Sequence, residues 1–435
     1  MADEEPKKFN TFLLYLLIFL MIITGSINTI FNKILQKLKA YDILFEGHHW
    51  IITYGMFCGE LVSIFFYIYI VIQKKKNAEK NQTTLIEGQK NEQEEDIGQS
   101  SPTPNEEEQK DKKVLPPVPT NFIFAITAGC DLLATTINTF GLTYLTTSMF
   151  QMMRGLELFF VCLWSKIFLK NPIYRHAILG VGSLIFGLSL VGLNAILFDD
   201  NKVAKNPTVG IILLCTSQLF TSTEYVFQEK FIKHYDVHPF QLVGFEGLWG
   251  VCMYTILLII FQFVSCNSWS DSLKEGICSK NDDNKFHIED SLFAFRQMWE
   301  KKAILIVYIF YVVSIALYNI VGINLTKLVS STARAVVDTV RTVFIWLFFL
   351  CFEPVEGTKE TFHVLQFIGF LFLVFGTLVY NEIIVLPFWG LDYYTRVNIA
   401  KREAEKNEEG KLYVSIDGKD STAKESDAPT AEEKN

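Results

Sequence analysis

Charged side chains interrupt two otherwise apolar stretches of this chain. Arg154 and Glu157 fall inside YLTTSMFQMMRGLELFF, residues 144–160, and Arg334, Asp338 and Arg341 inside LVSSTARAVVDTVRTVF, residues 328–344. Hydroxyls open each stretch, Thr146, Thr147 and Ser148 in the first and Ser330, Ser331 and Thr332 in the second. A charge held at the centre of a bilayer costs about 2.5–3.5 kcal/mol on insertion scales, so these groups must face a wet cavity or one another. Guanidinium forks suit carboxylate and phosphate, which makes an anion the natural ligand of Arg154, Arg334 and Arg341. Gln151 and Asn319 offer amides to the same ligand, while Glu60, Glu157 and Glu246 are carboxyls of the kind that carry a coupled proton. Internal pairing explains the same charges as well: Arg154 with Glu157 and Asp338 with Arg341 are i,i+3 neighbours, and Arg334 with Asp338 is i,i+4.

The elements that hold these groups are apolar runs. Half of the 435 residues are hydrophobic and 38 are Phe. The runs approach the roughly 20 residues a spanning helix needs, which excludes an ordinary soluble domain and the short alternating strands of a membrane barrel. The fold class expected is an all-α polytopic membrane protein with ten helices, at about residues 12–34, 50–72, 122–143, 145–168, 173–198, 209–232, 240–264, 303–325, 330–352 and 362–386. Residues 1–10 form a cytosolic amino terminus, 11–72 carry helices 1 and 2, 73–120 a disordered cytosolic linker, and 121–198 helices 3 to 5. Residues 208–386 carry helices 6 to 10 with a lumenal loop at 265–301, and 387–435 form a disordered cytosolic tail; both polar segments are rich in Glu, Lys, Gln, Ser and Thr. Helical rise puts Arg154 about 13 Å into helix 4 and Asp338 and Arg341 about 12–16 Å into helix 9, near the midplane.

The two halves echo each other. Asn138 with Gly141 recurs as Asn319 with Gly322, and Gly180 with Gly187 as Gly369 with Gly376. Five spans in each half require opposite insertion, the inverted repeat of many secondary transporters. Lys and Arg near the helix ends gather mostly on one side when both termini are cytosolic.

Most of the eight cysteines lie in apolar runs, where a thiol acts as a small hydrophobe. Cys266 and Cys278 flank the polar loop instead, and an oxidising lumen would allow them to pair. Neither metal spacing nor GxSxG, HExxH or a phosphate loop is present, so no enzyme, metal or cofactor is expected. The net charge of −8 comes from the polar segments and gives no nucleic-acid reading.

GSINTIFNK, GMFCGE, CDLLATT, SMFQMMRG, FQEKFIKHYDVHP, GFEGLWG, SIALYNIVGINLTK, STARAVVDTVRTVFIW and LQFIGFLFLVFGTLVYN, in that order, resemble the drug/metabolite transporter superfamily and, within it, solute carrier family 35, subfamily F. SMFQMMRG and TARAVVDTVRT are the specific stretches. The resemblance implies a ten-helix fold with a central cavity between the halves and similarity to nucleotide-sugar transporters and chloroquine-resistance-type carriers. It implies an endomembrane location, Golgi, endosomal or lysosomal. Gln151, Arg154, Arg334, Asp338 and Arg341 match the family motif, whereas Glu157 and Glu224 stand where the family has apolar residues.

The function expected is alternating-access transport of a small polar, anionic metabolite. Two other readings stay open: a proton-coupled exporter of amino acids, peptides or cationic metabolites, and a non-transporting adaptor acting through its linker and tail. The partners expected are the small-molecule substrate, the lipid bilayer and a second copy in a homodimer. Clathrin adaptors are a further expected partner, through a tyrosine signal at Tyr394 and Val397.

Overall fold

The computed structural model describes residues 11–95, 116, 118–145, 150, 153–170, 174–198, 207–268, 278–280, 286–354, 362–380, 382, 384–395, 397–402 and 404–405. Its helices are α1 (Thr11–Lys37), α2 (His49–Leu61), α3 (Ser63–Glu95), α4 (Phe124–Tyr144), α5 (Leu156–Phe168), α6 (Arg175–Phe198), α7 (Pro207–His234) and α8 (Pro239–Phe263). They are followed by α9 (Ser291–Glu300), α10 (Lys302–Leu328), α11 (Ser331–Cys351) and α12 (Val364–Tyr380). Two short antiparallel pairs, Lys39–Ala40 with Ile43–Leu44 and Ser279–Lys280 with Phe286–His287, lie at one end of the bundle, here called the hairpin side. The opposite end, where α1 starts, is the linker side.

Among the described residues, seven helices are long and apolar enough to cross a membrane, with α2 and the start of α3 counted as one. Phe65, Ile178, Ile212, Ile256 and Phe263 point outward and are 61–80% exposed, apart from none of them being charged, a belt that only lipid tails would solvate. The chain is a multi-pass membrane protein. Three expected spans fall outside the seven, each for a local reason. Residues 145–168 were expected as one helix, but a turn at Arg154 and Gly155 leaves α5 with 13 residues. α11 has the length, 21 residues, but carries Arg334, Asp338 and Arg341. α12 is 17 residues and stops at Tyr380 rather than 386, where Glu382 adopts φ 60°, reverses the chain and pairs with His176 at 3.3 Å.

Polar segments are more ordered than their composition suggests. α3 continues through Glu95 although disorder was expected from residue 73, because a sequence of Lys, Glu, Gln and Ala extends an existing helix at little cost. The loop at 265–301 contains α9, capped by Asp290 through the Phe293 amide at 3.0 Å and packed by Phe293, Ala294 and Met298. Gln297 ties α9 to the Ala40 carbonyl at 3.2 Å, and His48 meets Glu289 at 2.5 Å. Cys266 and Cys278 are joined as a disulfide with Cα atoms 6.6 Å apart. Closing so short a loop contributes about 3 kcal/mol. Cys266→Ser is therefore expected to lower the melting temperature and to abolish the mobility shift between reducing and non-reducing gels. The first part of the expected tail is folded too: Thr395 is buried, Tyr394 stacks on Tyr174 with centroids 5.2 Å apart, and Arg402 lies over the Tyr393 ring at 3.9 Å.

The core has two main parts. Met21, Ile52, Phe57, Tyr254 and Ile304 pack α1, α2, α8 and α10 together, while Leu158, Leu184, Leu214, Val226 and Leu373 pack α5, α6, α7 and α12. Each part mixes helices from both halves of the sequence. Between α6 and α12 the backbones touch reciprocally: a Cβ on Gly180 would come within 2.8 Å of the Gly376 carbonyl oxygen, and one on Gly369 within 2.8 Å of the Gly187 oxygen. Small residues allow such close approach where no hydrophobic force drives helices together. Gly187→Ala should cost about 1–3 kcal/mol, since backbone must move, whereas Gly182→Ala, which meets nothing within 4 Å, should be neutral or stabilising. Thermal denaturation of the two variants in detergent checks the contrast.

Candidate functional site

A cavity lies between the two packed parts. Its wall includes Asn28 and Lys33 of α1, Asp131 and Asn138 of α4, Arg154, Glu224 and Tyr225 of α7, and Tyr318 and Asn319 of α10. Its volume, about 100 Å³, is well below the roughly 300–1,000 Å³ of pockets that hold drug-sized ligands. A drug-sized ligand does not fit the cavity at this volume.

The arginines meet here but do different work. Arg154, on the turn before α5, reaches across to α11 and donates to Asp338 Oδ2 at 3.3 Å. Arg341 donates to the same oxygen at 3.3 Å, and the Tyr318 hydroxyl donates to Asp338 Oδ1. One carboxylate thus serves two guanidiniums. The internal pairing of Asp338 with Arg341 forms, but Arg154 pairs with the opposite half of the chain instead of with Glu157. Arg334 turns away to Gln228 Oε1 at 2.8 Å and Asn319 Oδ1 at 3.5 Å. Its guanidinium covers the Tyr225 ring at 3.7 Å, as Arg341 covers Tyr318 at 4.7 Å, so aromatic faces take up charge that lipid would not. Glycine makes room for both: a Cβ on Gly25 would overlap Arg341, and one on Gly322 would lie 2.6 Å from Arg334 Nε.

Exposure then separates them. Arg334 and Arg341 are 1% and 2% exposed, whereas the Arg154 side chain is 17% exposed. All three line the cavity and all three have protein partners, with Arg154 the most exposed of them.

Carboxyls form a second layer towards the linker side. Gln228 donates through Nε2 to Glu224 at 2.6 Å and to Glu246 at 2.9 Å, and Asn319 donates to Glu60. Arg334 joins both amides, so Glu246, Gln228, Arg334, Asn319 and Glu60 are one buried chain of contacts. Glu157 is buried apart from it, and among the described residues neither of its carboxyl oxygens has a hydrogen-bond partner. Below this layer, Glu229 accepts from the Ser331 amide at 2.8 Å and from its hydroxyl, Ser330 caps α11 through Ala333 at 3.1 Å, and Lys327 donates to the Val237 carbonyl at 2.8 Å. The second hydroxyl cluster is therefore a helix cap and fastening.

Gln151 and the first hydroxyl cluster lie outside the described residues. Val397 is 72% exposed at the start of a helical stretch and Tyr394 is engaged with Tyr174. Tyr225, Tyr318, Gln228 and Glu229 were not singled out from the sequence. Only Gln228, one helical turn from Glu224, carried a signal, and a weak one.

Comparison with known proteins decides the family. Solute carrier family 35 member F6 of Rattus norvegicus is 30% identical over 375 residues, covering 83% of this chain and 87% of that protein. The chain belongs to solute carrier family 35. The Homo sapiens protein of the same name is likewise 30% identical over 375 residues, with the same coverage. An uncharacterised protein of Schizosaccharomyces pombe is 28% identical over 271 residues, covering 62% of this chain and 77% of that one. No protein-family profile matches the chain. Membership places the charged cavity of this solute carrier family 35 protein in the context of a carrier, and it leaves the identity of the cargo to the chemistry of the cavity wall.

Proposed function

We propose that the chain is a secondary transporter that moves a small polar, anionic metabolite, nucleotide-sugar-like or related, across an endomembrane by alternating access. It is a carrier and not an enzyme. Ten helices in two inverted repeats of five would do the work, with both termini cytosolic. The observation that carries this reading is Arg154, a partly exposed guanidinium in a buried polar cavity that links the two halves of the chain through Asp338. Four basic side chains, Lys33, Arg154, Arg334 and Arg341, reach the cavity wall against the acids Asp131 and Glu224.

Further features support the parts of the proposal. The reciprocal contacts of Gly180 with Gly376 and Gly187 with Gly369 are what a two-fold axis in the membrane plane would generate. Lys74, Lys166, Lys170, Arg175, Lys230, Lys233 and Lys327 all belong to linker-side ends, which suits a cytosolic linker side. A disulfide on the hairpin side suits a lumen. The layer of Gln228, Glu229, Ser331 and Lys327 would be the closed gate of the present conformer, opening to the cytosol in the other.

Thermal stability of the purified protein tests the charge class. UDP-glucose, UMP, phosphoenolpyruvate and glutamate are compared with lysine, choline and glucose. A bound ligand at a hundred times its Kd adds about 2.7 kcal/mol. Stabilisation confined to anions is the expected result, and stabilisation by lysine or choline alone would sink the proposal.

A further inference from the structure

Among the described residues, Glu157 is a buried carboxyl outside the hydrogen-bonded contacts of the site. It opens the first turn of α5, directly after the break at Arg154 and Gly155, and is 1% exposed. Among the described residues, neither of its carboxyl oxygens has a hydrogen-bond partner. The turn that holds it is fixed from α7, where the Ser222 hydroxyl donates to the Glu157 backbone oxygen at 3.0 Å. Arg154 on the turn, Asp338, Arg334 and Arg341 on α11, and Tyr225 on α7 interact with it electrostatically. Asp338 holds two of these arginines.

Spacing gives the reason for this asymmetry. Asn138, Gly141 and Glu157 are separated by the same intervals as Asn319, Gly322 and Asp338, three residues and then sixteen. Glu157 and Asp338 thus hold matching positions in the two halves, one pairing with arginine and the other without a partner. A buried carboxylate with no hydrogen bond is strongly disfavoured, whereas a neutral carboxyl there is tolerable.

We propose that Glu157 is a proton-binding site of the transport cycle: it carries a proton while Asp338 holds Arg154 and Arg341, and releases it when the turn at Gly155 brings Glu157 onto those arginines in place of Asp338. The proton leaves the carboxyl oxygen for water in the cavity, and the resulting carboxylate takes over the guanidinium pairing. Asp338, released by the arginines, takes up a proton from the cavity water as Glu157 gives one up, so the total charge around the arginines is conserved as the two halves exchange roles. This inference rests on the alternating-access reading for its place in a cycle, but its chemistry can be read without any flux.

Infrared spectroscopy of the purified protein in detergent supplies the test, through the carbonyl stretch of protonated carboxyl groups at pH 7 and its shift in D2O. Glu157→Gln breaks no hydrogen bond, so it is expected to fold while losing one such component that wild type shows. An unchanged acid band in Glu157→Gln would overturn the proposal. Asp338→Asn provides the second arm: with its rival neutral, Glu157 should ionise, and the same component should vanish although Glu157 is still present. Survival of the band in a folded Asp338→Asn protein would overturn the exchange. Should Asp338→Asn fail to fold, the first comparison alone still decides whether the proton is there. Absence of transport in reconstituted vesicles with both infrared results intact would count against the transporter reading and not against the proton site.

Discussion

Replacing both carboxyls of the matched positions, Glu157→Gln with Asp338→Asn, is expected to cost about 3–5 kcal/mol, the typical penalty for leaving buried charge uncompensated. Arg341 is almost wholly buried and Arg154 mostly so, and no other carboxyl accepts from either among the described residues. Asp338→Asn alone should lose less, because Glu157 stands ready to take its place. Adding Arg341→Gln to the double variant should restore part of the loss, since the charge that needed a partner is gone. Equilibrium or thermal unfolding in detergent measures the series. A double variant as stable as wild type would mean that the arginines draw their compensation from elsewhere.

Arg154→Gln is expected to act on function instead. The substitution keeps a hydrogen-bond donor beside Asp338, and Arg341 remains to hold that carboxylate, so the protein should fold and melt close to wild type. Stabilisation by an anionic ligand should nevertheless fall from about 2.7 kcal/mol at a hundred times Kd to nearly nothing. Arg341→Gln should show the reverse pattern, with stability suffering first, because that side chain is packed under Tyr318 and against Gly25. Full ligand stabilisation in Arg154→Gln would remove Arg154 from the binding site.

The sequence was informative about what lies at membrane depth. Charges in apolar runs identified Arg154, Arg334, Asp338 and Arg341, because hydrocarbon tolerates such residues only where protein or water receives them. Helix positions followed from run length, and α4, α6, α8 and α10 begin and end within a few residues of expectation. Three matters were not legible. The break at Arg154 and Gly155 depends on tertiary contacts, and a single Gly in an apolar run does not announce it. How Arg334 and Arg341 are held depends on Tyr225, Tyr318 and Gln228, and aromatic residues in a membrane helix look like ordinary packing until their rings are seen beneath guanidiniums. Order in the polar segments was underestimated because composition speaks to average hydrophobicity, whereas α9 and the chain around Tyr394 are held by a few caps and ring contacts.

The central claim is that anionic metabolites cross through the Arg154 cavity. Uptake into liposomes containing the purified protein tests it most directly, with radiolabelled UMP, glutamate and lysine offered separately to wild type and Arg154→Gln. Saturable uptake of at least one anion by wild type, lost in Arg154→Gln while the variant remains folded, is the predicted result. Uptake of lysine alone, or anion uptake that Arg154→Gln leaves intact, would contradict the account.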